Sequence, residues 1–179
     1  MEEKRDARGL TEAEAIARYR SRNYPKPALT ADIVVLWLDG ASVKVLLVER
    51  GGHPYIGKLA LPGGFANENE PVEITAAREL EEESGVSGLP MTLVGVFSRP
   101  GRDPRGWVVS AAYAAVICEA PALQAGDDAA AAGWFTVEWT DEGLLLRQDT
   151  TVIPAEDLAF DHAEILREAL QRCTPQVFC

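Results

Sequence analysis

Apolar residues along this chain follow two rhythms. Ile33–Leu38 and Val43–Val48 are short β-branched runs separated by Asp39-Gly40-Ala41-Ser42, which reads as a hairpin. Leu59-Ala60-Leu61 is a third, shorter run after a loop from Glu49 to Lys58. Met91–Ser98 and Trp107–Cys118 predict two more strands joined by the turn-rich Arg99–Gly106, and Trp134–Val137 predicts another. The helical rhythm appears at both ends. Thr11 and Glu14 have capping-box spacing and open a helix to about Arg22, which Tyr24-Pro25-Lys26-Pro27 stops. Leu158, Asp161/His162, Ile165, Leu166, Ala169 and Leu170 mark a packed helix over Asp157–Cys173. Residues 1–9 read as a disordered tail before one domain over 10–179, and Asp127–Ala132 reads as a loop or single turn. Strands before, between and after helices predict a mixed α/β fold.

The third helical segment carries the chemistry. Pro62-Gly63-Gly64 allows a tight turn and close approach of main chain to a ligand. Pro71 suits the first helical position, Glu73 complements the helix dipole, and Gly85 stands where a left-handed residue would end the helix. Ala76, Ala77, Leu80 and Ser84 form a small-residue stripe predicted to pack inward. Glu79, Glu82 and Glu83 fall at i, i+3 and i+4, so they share a face beside that stripe. Like charges so arranged destabilise an isolated helix by a few tenths of a kcal/mol per pair. A hard divalent cation with oxygen ligands removes the conflict. An acidic run alone reads as a solvated helix face; its coupling to the glycine turn and to Glu70 favours metal binding instead.

Composition narrows the class. The chain has 179 residues, 17 Lys+Arg against 28 Asp+Glu, and a net charge of −11, which opposes both nucleic-acid and anionic-membrane surfaces. No apolar run reaches a transmembrane length, and Met1–Asp6 does not resemble a signal peptide. Cys118, Cys173 and Cys179 lack metal or redox spacing and suit a reduced cytoplasm, with Cys118 expected in the core.

Gly64, Glu70, Arg78, Glu79, Leu80, Glu82, Glu83, Gly85 and Val86 stand in the order G-x5-E-x7-R-E-U-x-E-E-x-G-U, with U aliphatic. Seven of these positions demand one residue type, which at roughly one in fifteen each gives random odds on the order of 10⁻⁸ per start. This spacing resembles the signature of the Nudix hydrolases, which cleave nucleoside diphosphates linked to another group. The resemblance implies an α/β/α sandwich around a mixed sheet. It implies that Glu79, Glu82 and Glu83, with the Gly63 carbonyl, hold Mg²⁺ or Mn²⁺, and that Arg78 orients the acids by pairing with Glu70 or a neighbour. Catalysis would rest on Glu82, Glu83 and Arg78. The family draws its general base from different places; Glu82, Asp127 and Asp128 are the candidates here.

A wider resemblance runs from about residue 24 to 170. Tyr24–Pro27, Thr30–Asp32, Pro54–Phe65, Arg102–Gly106, Asp127–Ala129 with Trp134-Phe135, and Leu158–His162 look like bacterial ADP-ribose pyrophosphatases and the Nudix domain of NAD-metabolism repressors. Pro100 lies about fifteen residues beyond the signature, where ADP-ribose-cleaving relatives often carry proline. This implies hydrolysis of ADP-ribose to AMP and ribose 5-phosphate. Arg50, Arg102 and Arg105 are candidates for phosphate or ribose binding, or surface arginines. Phe65 and Tyr55 stack on adenine or pack internally, and His162 caps or packs the last helix. Other readings are a Nudix enzyme for NADH, a sugar nucleotide or an oxidised nucleoside triphosphate, and a non-catalytic ADP-ribose sensor. The similar repressors continue into a winged-helix domain, whereas this sequence stops at Cys179, so no nucleic-acid partner is expected. The resemblance also suggests a homodimer.

Overall fold

The run Ile33–Leu38 is the middle of a longer strand, β1 (Ala28–Asp39), buried without alternation from Thr30 to Leu36. Both faces of the strand are covered, so neither presents polar residues to water. The computed structural model describes residues 4–124 and 129–173. Within them, α1 (Glu12–Arg20) is followed by β1, β2 (Ser42–Arg50), β3 (Leu59–Ala60), β4 (Gly63–Phe65) and α2 (Val72–Ser84). Then come β5 (Thr92–Phe97), β6 (Val108–Ile117), β7 (Ala129–Thr140), β8 (Gly143–Gln148), β9 (Thr151–Pro154), a 3-10 turn at Ala155–Asp157 and α3 (His162–Cys173).

The strands form one mixed sheet in the order β5-β6-β1-β2-β7-β8-β9, with β3 added to β2 and β4 to β1. β1 and β6 run parallel, and the other pairs are antiparallel. Ala31, Ile33 and Val35 pack with Ala76 and Leu80 of α2, while Val34 and Leu36 share a core with Ile165, Leu166, Ala169 and Leu170 of α3. Helix, sheet and helix thus make the expected three layers. By contrast, α1 buries no residue; its capping box is formed, with Thr11 Oγ1 accepting the Glu14 N–H and Glu14 Oε2 accepting the Thr11 N–H.

β1 and β2 diverge along their length. β1 pairs with β2 only at its far end, from Leu36↔Val45 to Asp39↔Ser42. Further down, Thr30–Asp32 pairs with β4, and Val48 and Glu49 pair with β3. The segment Leu59–Phe65 is therefore wedged between β1 and β2 and tied to both. The Ile33 N–H donates to the Pro62 carbonyl (2.8 Å), which fixes the turn between the two short strands.

Several expectations change. Helix α1 ends at Arg20 rather than Arg22, and α2 begins at Val72, leaving Pro71 as its extended N-cap. The buried stripe of α2 is Thr75, Ala76, Leu80 and Ser84; Ala77 is exposed, and the buried Thr75 donates its hydroxyl to Glu70 Oε2 (2.8 Å). Ala129–Ala132 is no loop but the start of β7, where Ala131 and Ala132 pair with Glu49 and Val48. Strands β8 and β9 were not expected. Cys118 is exposed just past the end of β6, outside the core. The part of the N-terminal segment that is described folds into a turn, with Gly9 N–H on the Asp6 carbonyl and Asp6 N–H on the Leu10 carbonyl.

Candidate active site

Arg78 is the organising residue on α2. Its Nε and Nη2 donate to the two oxygens of Glu70 (both 3.0 Å), and Nη2 also donates to the Phe65 carbonyl (3.0 Å). Nη1 donates to Glu79 Oε1 (2.7 Å) and Glu82 Oε2 (2.9 Å). One planar guanidinium thus ties helix α2 to β4 and to three carboxylates, a fork geometry that lysine does not offer. Glu70 also accepts from the Asn67 N–H and Thr75 hydroxyl. Arg78, then these two donors, pull its pKa down to about 2, while the same pairing raises that of Arg78.

The other two acids are not so compensated. Glu83 accepts the Gly63 N–H on Oε2 (3.0 Å), but burial and the nearby Glu79 charge push its pKa up to about 7. Burial also raises Glu79, against the pull of Arg78. Both carboxylates face the two glycines of β4. A Cβ on Gly64 would overlap the Glu79 carboxylate, and one on Gly63 would stand 2.9 Å from Asp32 Cα and from Asp32 Oδ1. Only glycine permits that approach. Among the described residues no three His, Cys, Asp or Glu side chains stand clustered as a metal-ligand set; Glu82, held by Arg78, is 57% exposed.

Gly63, Gly64, Phe65, Glu79 and Glu83 share a cleft of about 420 Å³ with Val48, Leu61 and the segment Glu49–Gly52. Arg50 enters it from the end of β2, half-buried, with Nε on the Pro54 carbonyl (2.8 Å). Arg105 lies over the Phe65 ring (4.6 Å) and is held bidentately by Asp103 through Nε (3.0 Å) and Nη2 (2.7 Å). Tyr55 meets Phe160 edge-on at 4.9 Å.

Arg102, expected as a ligand-binding arginine, faces the other way. It is buried and donates to both oxygens of Asp161 (2.8 and 2.6 Å) and to Asp32 Oδ2 (3.2 Å). A guanidinium between two buried carboxylates is committed to structure, so the substrate-binding assignment of Arg102 does not hold. Ser110 donates to Asp32 Oδ2, and His162 joins from the start of α3. His162 Nδ1 accepts the Leu61 N–H (2.9 Å), which leaves the ring proton on Nε2 facing Asp32 Oδ1 at 3.5 Å. Burial lowers the His162 pKa despite Asp32, consistent with a neutral ring.

The fold therefore brings together Gly63, Glu79, Glu83, Arg50 and Phe65, places Arg78 and Glu82 beside them, and sets Arg105 at the rim. Asp127 and Asp128 lie outside the described residues. The buried set of Asp32, Asp103, Ser110 and Asp161 under the site was not foreseen. Acids inside otherwise apolar stretches, such as Asp32 before Ile33, were the available signal.

The NUDIX domain family matches residues 26–168. The chain is 33% identical over 168 residues to an ADP-ribose pyrophosphatase from Methanocaldococcus jannaschii, covering 94% of this chain and 86% of that protein. It is 31% identical over 159 residues to an ADPR-responsive transcriptional repressor from Acinetobacter baylyi, covering 88% of this chain and spanning 58% of the repressor's length. Among solved structures, a MutT/nudix family protein from Enterococcus faecalis superposes with a TM-score of 0.80 at 39% identity, over 94% of this chain and 71% of that one. The NUDIX domain of Shewanella oneidensis NrtR, complexed with ADP ribose, gives 0.72 at 30% identity, over 91% and 99%. With the signature acids, the glycine turn and the three-layer fold in place, the chain belongs to the Nudix hydrolase family.

Proposed function

We propose that the protein hydrolyses ADP-ribose to AMP and ribose 5-phosphate, adding water across the diphosphate bridge. The observation that carries this is the cleft in which Glu79, Glu83 and the Gly63 turn face Arg50 and Phe65. A cleft lined by two acids, a guanidinium and an aromatic ring suits a diphosphate joined to a ring. The named substrate of the M. jannaschii relative and the ligand of the S. oneidensis domain support ADP-ribose in particular.

The donor set fits a divalent cation. Two partly buried carboxylates with raised pKa values face a glycine whose Cβ would fill the space against Glu79. Glu79, Glu82, Glu83 and the Gly63 carbonyl would hold Mg²⁺ or Mn²⁺. Such an ion supplies charge neutralisation on the diphosphate and a water of lowered pKa. The protein's own contributions are separable from this. Arg78 orients Glu79 and Glu82; Gly63 N–H orients Glu83; Arg50 and Arg105 bind phosphate or ribose oxygens; Phe65 offers a ring face. Of the base candidates, Glu82 is the one within the described residues, exposed beside the cleft.

We expect a homodimer. We also expect no binding to duplex DNA at physiological salt, because a net charge of −11 opposes the phosphate backbone. Among the described residues no helix is long and apolar enough to cross a membrane.

The test is a turnover panel with Mg²⁺ and Mn²⁺ over ADP-ribose, NADH, UDP-sugars and oxidised dNTPs. ADP-ribose should show the highest kcat/KM. Preference for an oxidised purine triphosphate would overturn the substrate, and tight ADP-ribose binding without product under either metal would make the protein a sensor.

A further inference from the structure

Phe160 stands at φ 56° and Tyr55 at φ 66°, both in the left-handed region that non-glycine residues rarely adopt, and their rings touch. Strained backbone persists where the surroundings over-determine it. For Phe160 the next two residues do so: Asp161 is locked to buried Arg102, and His162 to the Leu61 N–H. What this fixed ring holds is two cations. The Arg50 guanidinium lies 4.9 Å from its centroid and that of Arg105 lies 5.3 Å away, with Arg105 also over Phe65. Arg105 is neutralised by Asp103. Among the described residues Arg50 makes no salt bridge, and its bond to Pro54 uses only Nε.

Two guanidiniums placed this close repel each other, and the negative face of an aromatic ring offsets that repulsion. The Nη groups of Arg50 make no hydrogen bond among the described residues, and Arg50 lines the same cavity as Glu83 and the glycine turn. We propose that Phe160 is a positioning residue: its ring holds Arg50 and Arg105 as a paired clamp for the anionic oxygens of the diphosphate substrate. This rests on the diphosphatase reading above and adds to it a residue outside the signature.

The test compares Phe160→Leu, which keeps the bulk and the same left-handed backbone demand but loses the ring face, with Phe160→Tyr, which restores that face. For ADP-ribose with Mg²⁺, Phe160→Leu should raise KM about tenfold while kcat changes less than about threefold, and Phe160→Tyr should stay within about twofold of wild type on both. The dissociation constant for inorganic pyrophosphate, measured without metal, should follow the same order. If Phe160→Leu folds poorly, Phe160→Met takes its place with the same expectation. Wild-type KM and pyrophosphate binding in the ring-less variant, or a Phe160→Tyr variant as impaired as it, would overturn the proposal. Should wild type prefer another diphosphate of the panel, the comparison runs on that substrate, so that the substrate fails and the clamp is still judged. Wild type that neither turns over any of them nor binds pyrophosphate would overturn both.

Discussion

Gly63 donates its N–H to Glu83 Oε2 at 3.0 Å, and this single bond fails to offset the burial of the carboxylate it serves. Glu83 is therefore raised to about 7 when folded, against an ordinary value of 4.5. The folded state keeps a proton that the unfolded chain releases. Stability of the metal-free protein should accordingly fall as pH rises from about 4.5 to about 7 and level off above, with a cost on the order of 3 kcal/mol. Denaturant unfolding of metal-free wild type and Glu83→Gln at pH 5 and pH 8 checks this. The glutamine variant should lose that component of the pH dependence; identical slopes for both proteins would refute the assignment.

The same Glu83→Gln change should abolish most turnover while leaving the fold intact. Losing a charged ligand removes transition-state stabilisation worth roughly 10²–10⁴ in rate. A variant with wild-type kcat at saturating Mg²⁺ would show that Glu83 holds no catalytic metal.

Divalent ions should raise the melting temperature of wild type more at pH 8 than at pH 6, because binding requires Glu83 ionised and stabilises only the folded state. A melting temperature indifferent to Mg²⁺ and Mn²⁺ would count against the acidic site.

Arg102→Ala should destabilise the protein by about 3–5 kcal/mol, since it strands Asp32 and Asp161 as uncompensated buried charges. A cost below about 1 kcal/mol in urea unfolding, with KM raised instead, would return Arg102 to the substrate.

Gly64→Ala should cut metal affinity and turnover together, since the added methyl displaces the Glu79 carboxylate. Stability should respond little, because Glu79 can swing toward solvent. Calorimetric Mn²⁺ titration separates this from a folding defect.

The acids, the glycines and Arg78 were legible because their roles depend on spacing within one turn-helix unit, where chain geometry decides which groups meet. The arginines of Arg102–Gly106 were not. Arg102 and Arg105 sit three residues apart in one loop and look alike in sequence, yet one is 3% and the other 39% exposed. What separates them is Asp161, 59 residues from Arg102, and no local pattern announces that pairing. His162 was placed correctly as a packing residue, but its partner Leu61 N–H lies 101 residues back. Strand β8 illustrates a missed local signal: Leu144 and Leu146 are buried on alternate positions between Gly143 and Asp149, yet the intervening Leu145 hides the period.

The wedge of Leu59–Phe65 between β1 and β2 has a bearing on how such a protein can change. The loop that leads into it, residues 51–58, is closed at its base by Arg50 N–H on the Lys58 carbonyl and Gly57 N–H on the Arg50 carbonyl. Its ends are thus stapled by main-chain bonds, while Pro54 and Tyr55 within it accept from Arg50 Nε and the Lys58 N–H. Changes at Gly51 and Gly52, which line the cleft, would remodel its outer wall while the wedge, and the acids it faces, keep their register. The lining of the cleft can in this way vary at the mouth of the loop without disturbing the sheet that holds the acids.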